Sequence, residues 1–312
     1  MKKTKYQKAI GIYNSFPATI KNLIVKTLRL INFKTEKYYA DMHYTGVFTT
    51  KVEDSTSIKM ISTNGTLENQ VFWNGIRGYE PESMIPWMFL SKESNTIVDI
   101  GANVGIYSLL SASLNPSANI ICFEPSDGIY AKMVKNFQLN NFTNIKANKV
   151  GISDQTGTLL FYDVPGDHLP SASFSPDKAK NFDSNIELIE HNVEVITLDE
   201  YIKQNNINKV DLLKIDVELF EKQVLDGALN CIKNHRPTIF FEVLTTEVAN
   251  SLQPIFDTNN YKLLHLNIEA NKPKLIPTKT LYVAENKLWN FLAIPSENTD
   301  ILNRLNEYLN SL

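Results

Sequence analysis

Apolar and polar positions alternate over residues 46–73, in the runs GVFTTKV, SIKMIS and LENQVFW. The pattern predicts a small antiparallel layer, with Asn64-Gly65 as the turn between two of its strands. Ahead of it, Ile20, Leu23, Ile24, Leu28 and Ile31 recur at helical spacing, with Lys21, Lys26 and Arg29 mostly on the opposite face of a basic amphipathic helix. Pro81 and Glu82 open a further helix through Met84, Ile85, Trp87, Met88 and Leu90, since proline suits a first turn. From Thr96 the texture changes to short buried strands at 96–100, 119–123, 144–150, 211–216 and 238–243. Helical patterns at 104–114, 127–140, 219–232 and 246–258 separate them, and an amphipathic segment, 297–311, follows. This alternation predicts a doubly wound α/β sheet with helices on both faces. Short extra strands are expected at 158–162 and 193–196. The irregular stretch 164–190 reads as a binding loop or lid.

At 312 residues and 43% hydrophobic, the chain is long enough to bury a full core, which excludes disordered and fibrous classes. The texture suggests three parts: a basic segment 1–37, a β/α extension 38–90 and a main domain 91–312. The net charge of −3 is too balanced for a protein that coats nucleic acid, and no nucleic-acid partner is expected. Its distribution is uneven: residues 1–37 carry nine basic side chains against Glu36, a net +8 that leaves −11 for the remainder. The basic helix therefore reads either as docked on its own domain or as facing an anionic membrane surface or a partner groove. Cys122 and Cys231 both lie in apolar runs, which fits a reducing compartment without disulfides. No run of 18 uncharged apolar residues and no secretory signal is present, so the expected location is cytoplasmic, with a peripheral place at the inner membrane face if the basic helix docks there.

The first strand runs through Asp99-Ile-Gly101-Ala-Asn103-Val-Gly105 into a helix. Glycine suits a sharp turn where a ligand approaches the backbone. Glu124 ends the second strand, where an acid can accept hydrogen bonds from both ribose hydroxyls of a nucleoside. A dinucleotide fingerprint would place glycine where Asn103 stands and would not tolerate the carboxylate of Asp99 beside a pyrophosphate. Asp99 suits a cation instead, such as the sulfonium and ammonium of S-adenosylmethionine. A nicotinamide-dependent oxidoreductase is the less favoured alternative. The fourth strand exits through Lys214-Ile-Asp216-Val-Glu218 and the fifth through Phe241-Glu242. Three carboxylates at one sheet edge repel unless a positive group sits among them: Lys214, the sulfonium or a divalent metal such as Mg held by Asp216 and Glu242. Asp216, Glu218, Glu242 and the loop residue His168 are the candidate bases. IDVE lacks the Pro-Pro-aromatic type of motif that presents a flipped base.

The motifs DIGANVGIYS, FEPS, NNFTNI, ISDQTGTLLFYD, TLDEYI, DLLKIDVELFEKQVLDGA and RPTIFFEV together resemble the FkbM family of S-adenosylmethionine-dependent methyltransferases, over roughly 78–294. The resemblance implies the class I methyltransferase fold, a Rossmann-like seven-stranded sheet whose last strand is antiparallel, with 280–294 as a hairpin. It implies methyl transfer, usually to oxygen, on saccharides, glycans or natural-product intermediates. Carried over, it places Asp99, Gly101, Asn103 and Gly105 near the methionine moiety, Glu124 on the ribose and Ser153 and Asp154 near the adenine, with Glu80 and Asp216 also among the cofactor-binding positions. Asp154-Gln-Thr-Gly157 reads equally as a plain turn. Family members usually carry glycine after the Asp-x-Glu, where this chain has Leu219. That departure leaves a catalytically degenerate scaffold as the alternative reading. Glu221 also matches the pattern and reads as a first-turn helix acid.

Overall fold

The computed structural model describes residues 4–33, 41–163, 173–174 and 188–312. It divides into two compact units, Met1–Glu80 and Pro81–Leu312. The first unit holds α1 (Lys5–Ser15), α2 (Ala18–Leu30), the antiparallel pair β1 (Thr45–Glu53) and β2 (Thr56–Thr63), and α3 (Thr66–Asn74). The expected third strand, LENQVFW, is therefore helical, and the turn between the two strands falls at Asp54-Ser55 rather than Asn64-Gly65. Tertiary burial decides the matter. Leu67 and Val71, one helical turn apart, are both buried, and Phe72 stacks on Tyr44 at 4.6 Å and meets Phe48 edge-on at 5.5 Å. Asn64 adopts φ 76°, and Gly65 caps the helix.

In the second unit, α4 (Pro81–Lys92) begins on its proline. It buries Trp87, whose indole N–H donates to Ser111 Oγ at 2.9 Å and whose ring meets Tyr107 and Phe240 edge-on. There follow β3 (Thr96–Ile100), α5 (Ile106–Leu114), β4 (Asn119–Phe123), α6 (Asp127–Asn140) and β5 (Ile145–Asn148). The chain then forms β6 (Gly151–Ile152), β7 (Gly157–Asp163), β8 (Ile189–Ile196) and α7 (Leu198–Gln204). Next come β9 (Leu212–Ile215), α8 (Glu221–Asp226) and β10 (Thr238–Glu242). The last elements are α9 (Thr246–Thr258), β11 (Tyr261–Glu269), β12 (Lys272–Thr278), β13 (Asn290–Pro295) and α10 (Thr299–Ser311).

The main sheet has the order β12-β11-β13-β10-β9-β3-β4-β5, with β5, β4, β3, β9 and β10 parallel and β13 inserted antiparallel between β10 and β11. This is the Rossmann-like sheet of class I methyltransferases with β12 added at one edge, eight strands rather than seven. The late hairpin is 261–278, not 280–294. Its turn residues Ala270 and Asn271 both have positive φ, as a tight hairpin turn demands, although Ala-Asn is a weak sequence signal for one. The segment 144–150 does not form one strand. Its end leaves the main sheet, and β6, β8 and β7 make a separate three-stranded sheet. The pattern over 219–232 resolves into α8 and a π turn at Cys231–His235. Val98, Ile100, Ile121, Phe123, Leu213, Ile215, Ile239 and Phe241 bury one face of the parallel strands, and both cysteines are buried and form no disulfide.

Candidate functional site at the sheet edge

The loop after β3 is built from left-handed residues: Gly101, Asn103 and Gly105 have φ of 74°, 51° and 83°. Asparagine is the side chain that tolerates this region best, which accounts for Asn103 between two glycines. Gly101 serves close packing as well as the turn. A Cβ there would lie 1.8 Å from the carbonyl oxygen of Asp216, so the glycine lets the exits of β3 and β9 touch. At Gly105 a Cβ would strike the Phe137 ring at 2.6 Å, so that glycine seats α6 against the loop.

Glu124 follows β4 directly and is 5% exposed. Its Oε2 accepts the N–H of Asn103 and its Oε1 the N–H of Ser126, each at 3.0 Å. Each oxygen keeps a further lone pair for a ligand donor. Burial, against these two donors and reinforced by Asp163 and Asp99, lifts the carboxyl from 4.5 to about 7. Asp163 was not singled out from sequence. It ends β7, receives the Ser126 hydroxyl at 3.4 Å and lies 3.5 Å from His191.

Asp99 and Lys214 face each other across neighbouring parallel strands. Asp99 is fully buried. Its Oδ2 accepts the Ser108 hydroxyl at 2.7 Å, and its Oδ1 has no hydrogen-bond partner among the described residues. Burial raises its carboxyl, and Lys214 opposes the rise. The Lys214 ammonium lies 2.6 Å from Asp216 Oδ2 and 4.3 Å above the centre of the Tyr107 ring. Lys214 thus supplies positive charge to Asp216, one of the strand-tip acids, and to Asp99. Among the described residues no group of three or more His, Cys, Asp or Glu side chains is placed to hold a metal ion, so the Asp216–Glu242 metal site has no support.

Beyond Asp216 the chain makes two successive left-handed residues, Glu218 at φ 55° and Leu219 at φ 74°. A glycine would take the second without strain, whereas leucine pays about 1–2 kcal/mol. Leu219 is retained by packing on the core beside Val217 and Phe220. Leu219→Gly is expected to change stability by less than about 1 kcal/mol, relief of strain offsetting lost packing. Leu219→Val, far closer in size, is expected to cost about 2 kcal/mol because a β-branched residue fits this region worst. Urea melts of the two variants would reverse this order if packing alone governed the position. The turn is also tied by Ser173, whose hydroxyl donates to the Glu218 carbonyl at 2.7 Å, and Phe174 stacks on Phe220 at 4.6 Å.

Glu221 is the residue sequence reasoning undervalued. It is a first-turn helix acid, as expected, but only 1% exposed; its Oε1 accepts the Leu219 N–H at 3.3 Å, and its Oε2 has no hydrogen-bond partner among the described residues. Burial, reinforced by Asp216 and Glu218, pushes its carboxyl up to about 7. The available signal was spacing: three residues after Glu218, on the first turn of a helix that follows a buried strand. Glu242 is half-buried at the end of β10, paired in register with Asn290. Ser153 is buried and donates its N–H to the Ile196 carbonyl, while Asp154 lies exposed in the turn before β7 and accepts the Ser153 hydroxyl. Glu80 closes the first unit at φ 38°. His168 lies outside the described residues.

A strand order with one antiparallel insertion, a glycine-bearing first loop and an acid at the second strand tip define the class I methyltransferase fold. The chain belongs to the FkbM methyltransferase family: the family model described as Methyltransferase FkbM domain matches residues 99–264. Similar proteins include Methyltransferase 1 of Beauveria bassiana, 30% identical over 146 residues, 43% of this chain and 59% of that protein. The 2-O-methyltransferase NoeI of Sinorhizobium fredii is 27% identical over 178 residues, 53% of this chain and 70% of that protein. The hexuronic acid methyltransferase AglP of Haloferax volcanii is 24% identical over 148 residues, 46% of this chain and 54% of that protein. The match spans 59% of the length of the first two curated relatives.

Proposed function

We propose that this protein methylates a hydroxyl of a saccharide or glycan intermediate, with S-adenosylmethionine as the methyl donor. The observation that carries the reading is Glu124, a buried acceptor at the tip of β4 that also holds the left-handed loop after β3. S-adenosylmethionine, when bound, supplies an electrophilic methyl group on a sulfonium. Glu124 would accept from its ribose hydroxyls. Asp99, with an unpartnered buried Oδ1, would face its cationic end together with the loop of Gly101, Asn103 and Gly105. Ser153 and Asp154 would border the adenine, with Asp216 completing the set. Holding the acceptor oxygen in line is the main task of the protein and is worth about 7–11 kcal/mol. Asp216, Glu218, Glu242 and His168 are the candidates for taking the hydroxyl proton, a step worth about 100- to 10,000-fold. The saccharide class draws support from relatives named for hexuronic acid and 2-O-methylation. The +8 charge of residues 1–37 supports a lipid-linked acceptor at the cytoplasmic face of an anionic membrane.

Calorimetric titration of S-adenosylmethionine and S-adenosylhomocysteine tests the cofactor, followed by mass spectrometry of sugar nucleotides and glycans incubated with enzyme and donor. Micromolar binding and a one-methylene mass gain on a sugar are expected. Binding without transfer across the panel would favour a scaffold in which Leu219 has ended turnover; no binding at all would overturn both readings.

A further inference from the structure

Helix α2 docks with an unexpected face. Val25 is fully buried, and the Asn22 side chain pairs with the backbone of Thr45 through bonds of 2.7 and 2.9 Å. Arg29 donates to the Thr49 carbonyl and lies 4.6 Å above the Phe72 ring, while Lys26 lies 5.1 Å over Tyr44. The Asn22 amide and the Arg29 guanidinium therefore form part of the inner contact around Val25, with the exposed Lys26 at its edge. The side chains left outside include Ile20, Leu23, Leu30 and Ile31, 41%, 66%, 86% and 67% exposed. At 100° per residue these four fall within one outward stripe. Ile12 of α1 is likewise 61% exposed. A helix that turns leucines outward while placing arginine against its own strands presents an apolar surface that water does not favour.

We infer that this outward stripe of α2 is a membrane-contact surface that seats its apolar side chains among the headgroups of an anionic bilayer. The inference deepens the membrane-side reading of the acceptor above, yet vesicle binding tests it without any turnover. Charge selects the occupant. Residues 1–37 carry +8, or +7 without the inward Arg29, so two copies meeting stripe to stripe would bring like charges together, whereas an anionic lipid surface attracts those cations. Apolar insertion plus basic attraction is the combination that holds interfacial helices at a membrane. Among the described residues no helix is long and apolar enough to cross one.

The experiment is co-sedimentation of the full chain with equimolar phosphatidylglycerol–phosphatidylcholine vesicles and with pure phosphatidylcholine, alongside light scattering in solution. The wild type is expected to partition to the anionic vesicles and about tenfold less to the neutral ones. Leu23→Asp with Leu30→Asp is expected to lose about tenfold or more of that binding. Because both positions are exposed, circular dichroism and the affinity for S-adenosylhomocysteine should stay unchanged. A second pair, Leu23→Ser with Leu30→Ser, should fall between. The inference is overturned if the wild type stays in the supernatant, or if the variants sediment as it does. A wild-type dimer that the aspartate pair splits would also overturn it and assign the stripe to a second copy.

Discussion

Glu124→Ala is expected to weaken S-adenosylhomocysteine binding by about 100-fold, the loss of two hydrogen bonds to a charged acceptor at about 1.5 kcal/mol or more each. The same side chain makes affinity depend on pH. Burial has lifted its carboxyl from 4.5 to about 7, so near neutrality the ligand-free protein holds a mixture of protonated and ionised Glu124. Ribose hydroxyls that donate to the carboxylate favour the ionised form, so binding should release a proton and tighten as pH rises to about 8. The sign for stability is opposite. An acid raised on folding costs nothing below 4.5 and progressively more as pH rises through its folded value, up to about 3 kcal/mol. Glu124→Ala should therefore gain on the wild type in ligand-free melts between about pH 4 and 8 while losing the ligand. Calorimetry in buffers of different ionisation enthalpy reads the proton directly. An affinity indifferent to pH would remove Glu124 from the ribose site.

The parts legible in sequence were those whose burial is set by one local period. Thr96–Ile100 and Asn119–Phe123 are apolar runs bounded by turn residues, and Asp127–Asn140 and Thr246–Thr258 carry clear helical patterns; all four stand where the pattern put them. LENQVFW failed because its short apolar spacing fits a strand as well as a helix, and a neighbouring Asn-Gly tipped the choice. Only the Tyr44 and Phe48 rings, distant along the chain, decide for the helix. The site shows the same division. Glu124 and Asp99 announce themselves as acids at the ends of apolar strands. Gly101 was legible as necessary, but its packing role was not, since its neighbour, the Asp216 carbonyl, lies 115 residues away. Glu221 does stand in a first turn, as its position predicted, but helix position alone does not say which side of that turn is covered, so its burial was not legible.

Lys214→Met tests the other side of the site and is expected to produce the largest loss of stability. The substitution keeps a flexible apolar stem beside Tyr107 but removes the only cation paired with Asp216 among the ion pairs described, and the one that opposes the rise of Asp99. Leaving a buried carboxylate without its counter-charge costs about 3–5 kcal/mol, a fall in Tm on the order of 10 °C for a unit of this size. The loss should depend on pH through Asp99. Its carboxyl is already raised by burial, and without Lys214 it rises further, so the variant keeps its stability where Asp99 is protonated and loses it as pH climbs through the new folded value. The gap to the wild type should therefore be narrow in acid and wide above neutrality. Asp99→Asn combined with Lys214→Met should recover much of it, because a neutral pair carries no uncompensated charge. A gap of constant size from acid to alkaline pH would mean that Lys214 acts through packing on Tyr107. The acids of β3 and β9 would then need another source of positive charge, and the sulfonium of the cofactor would be the first to test.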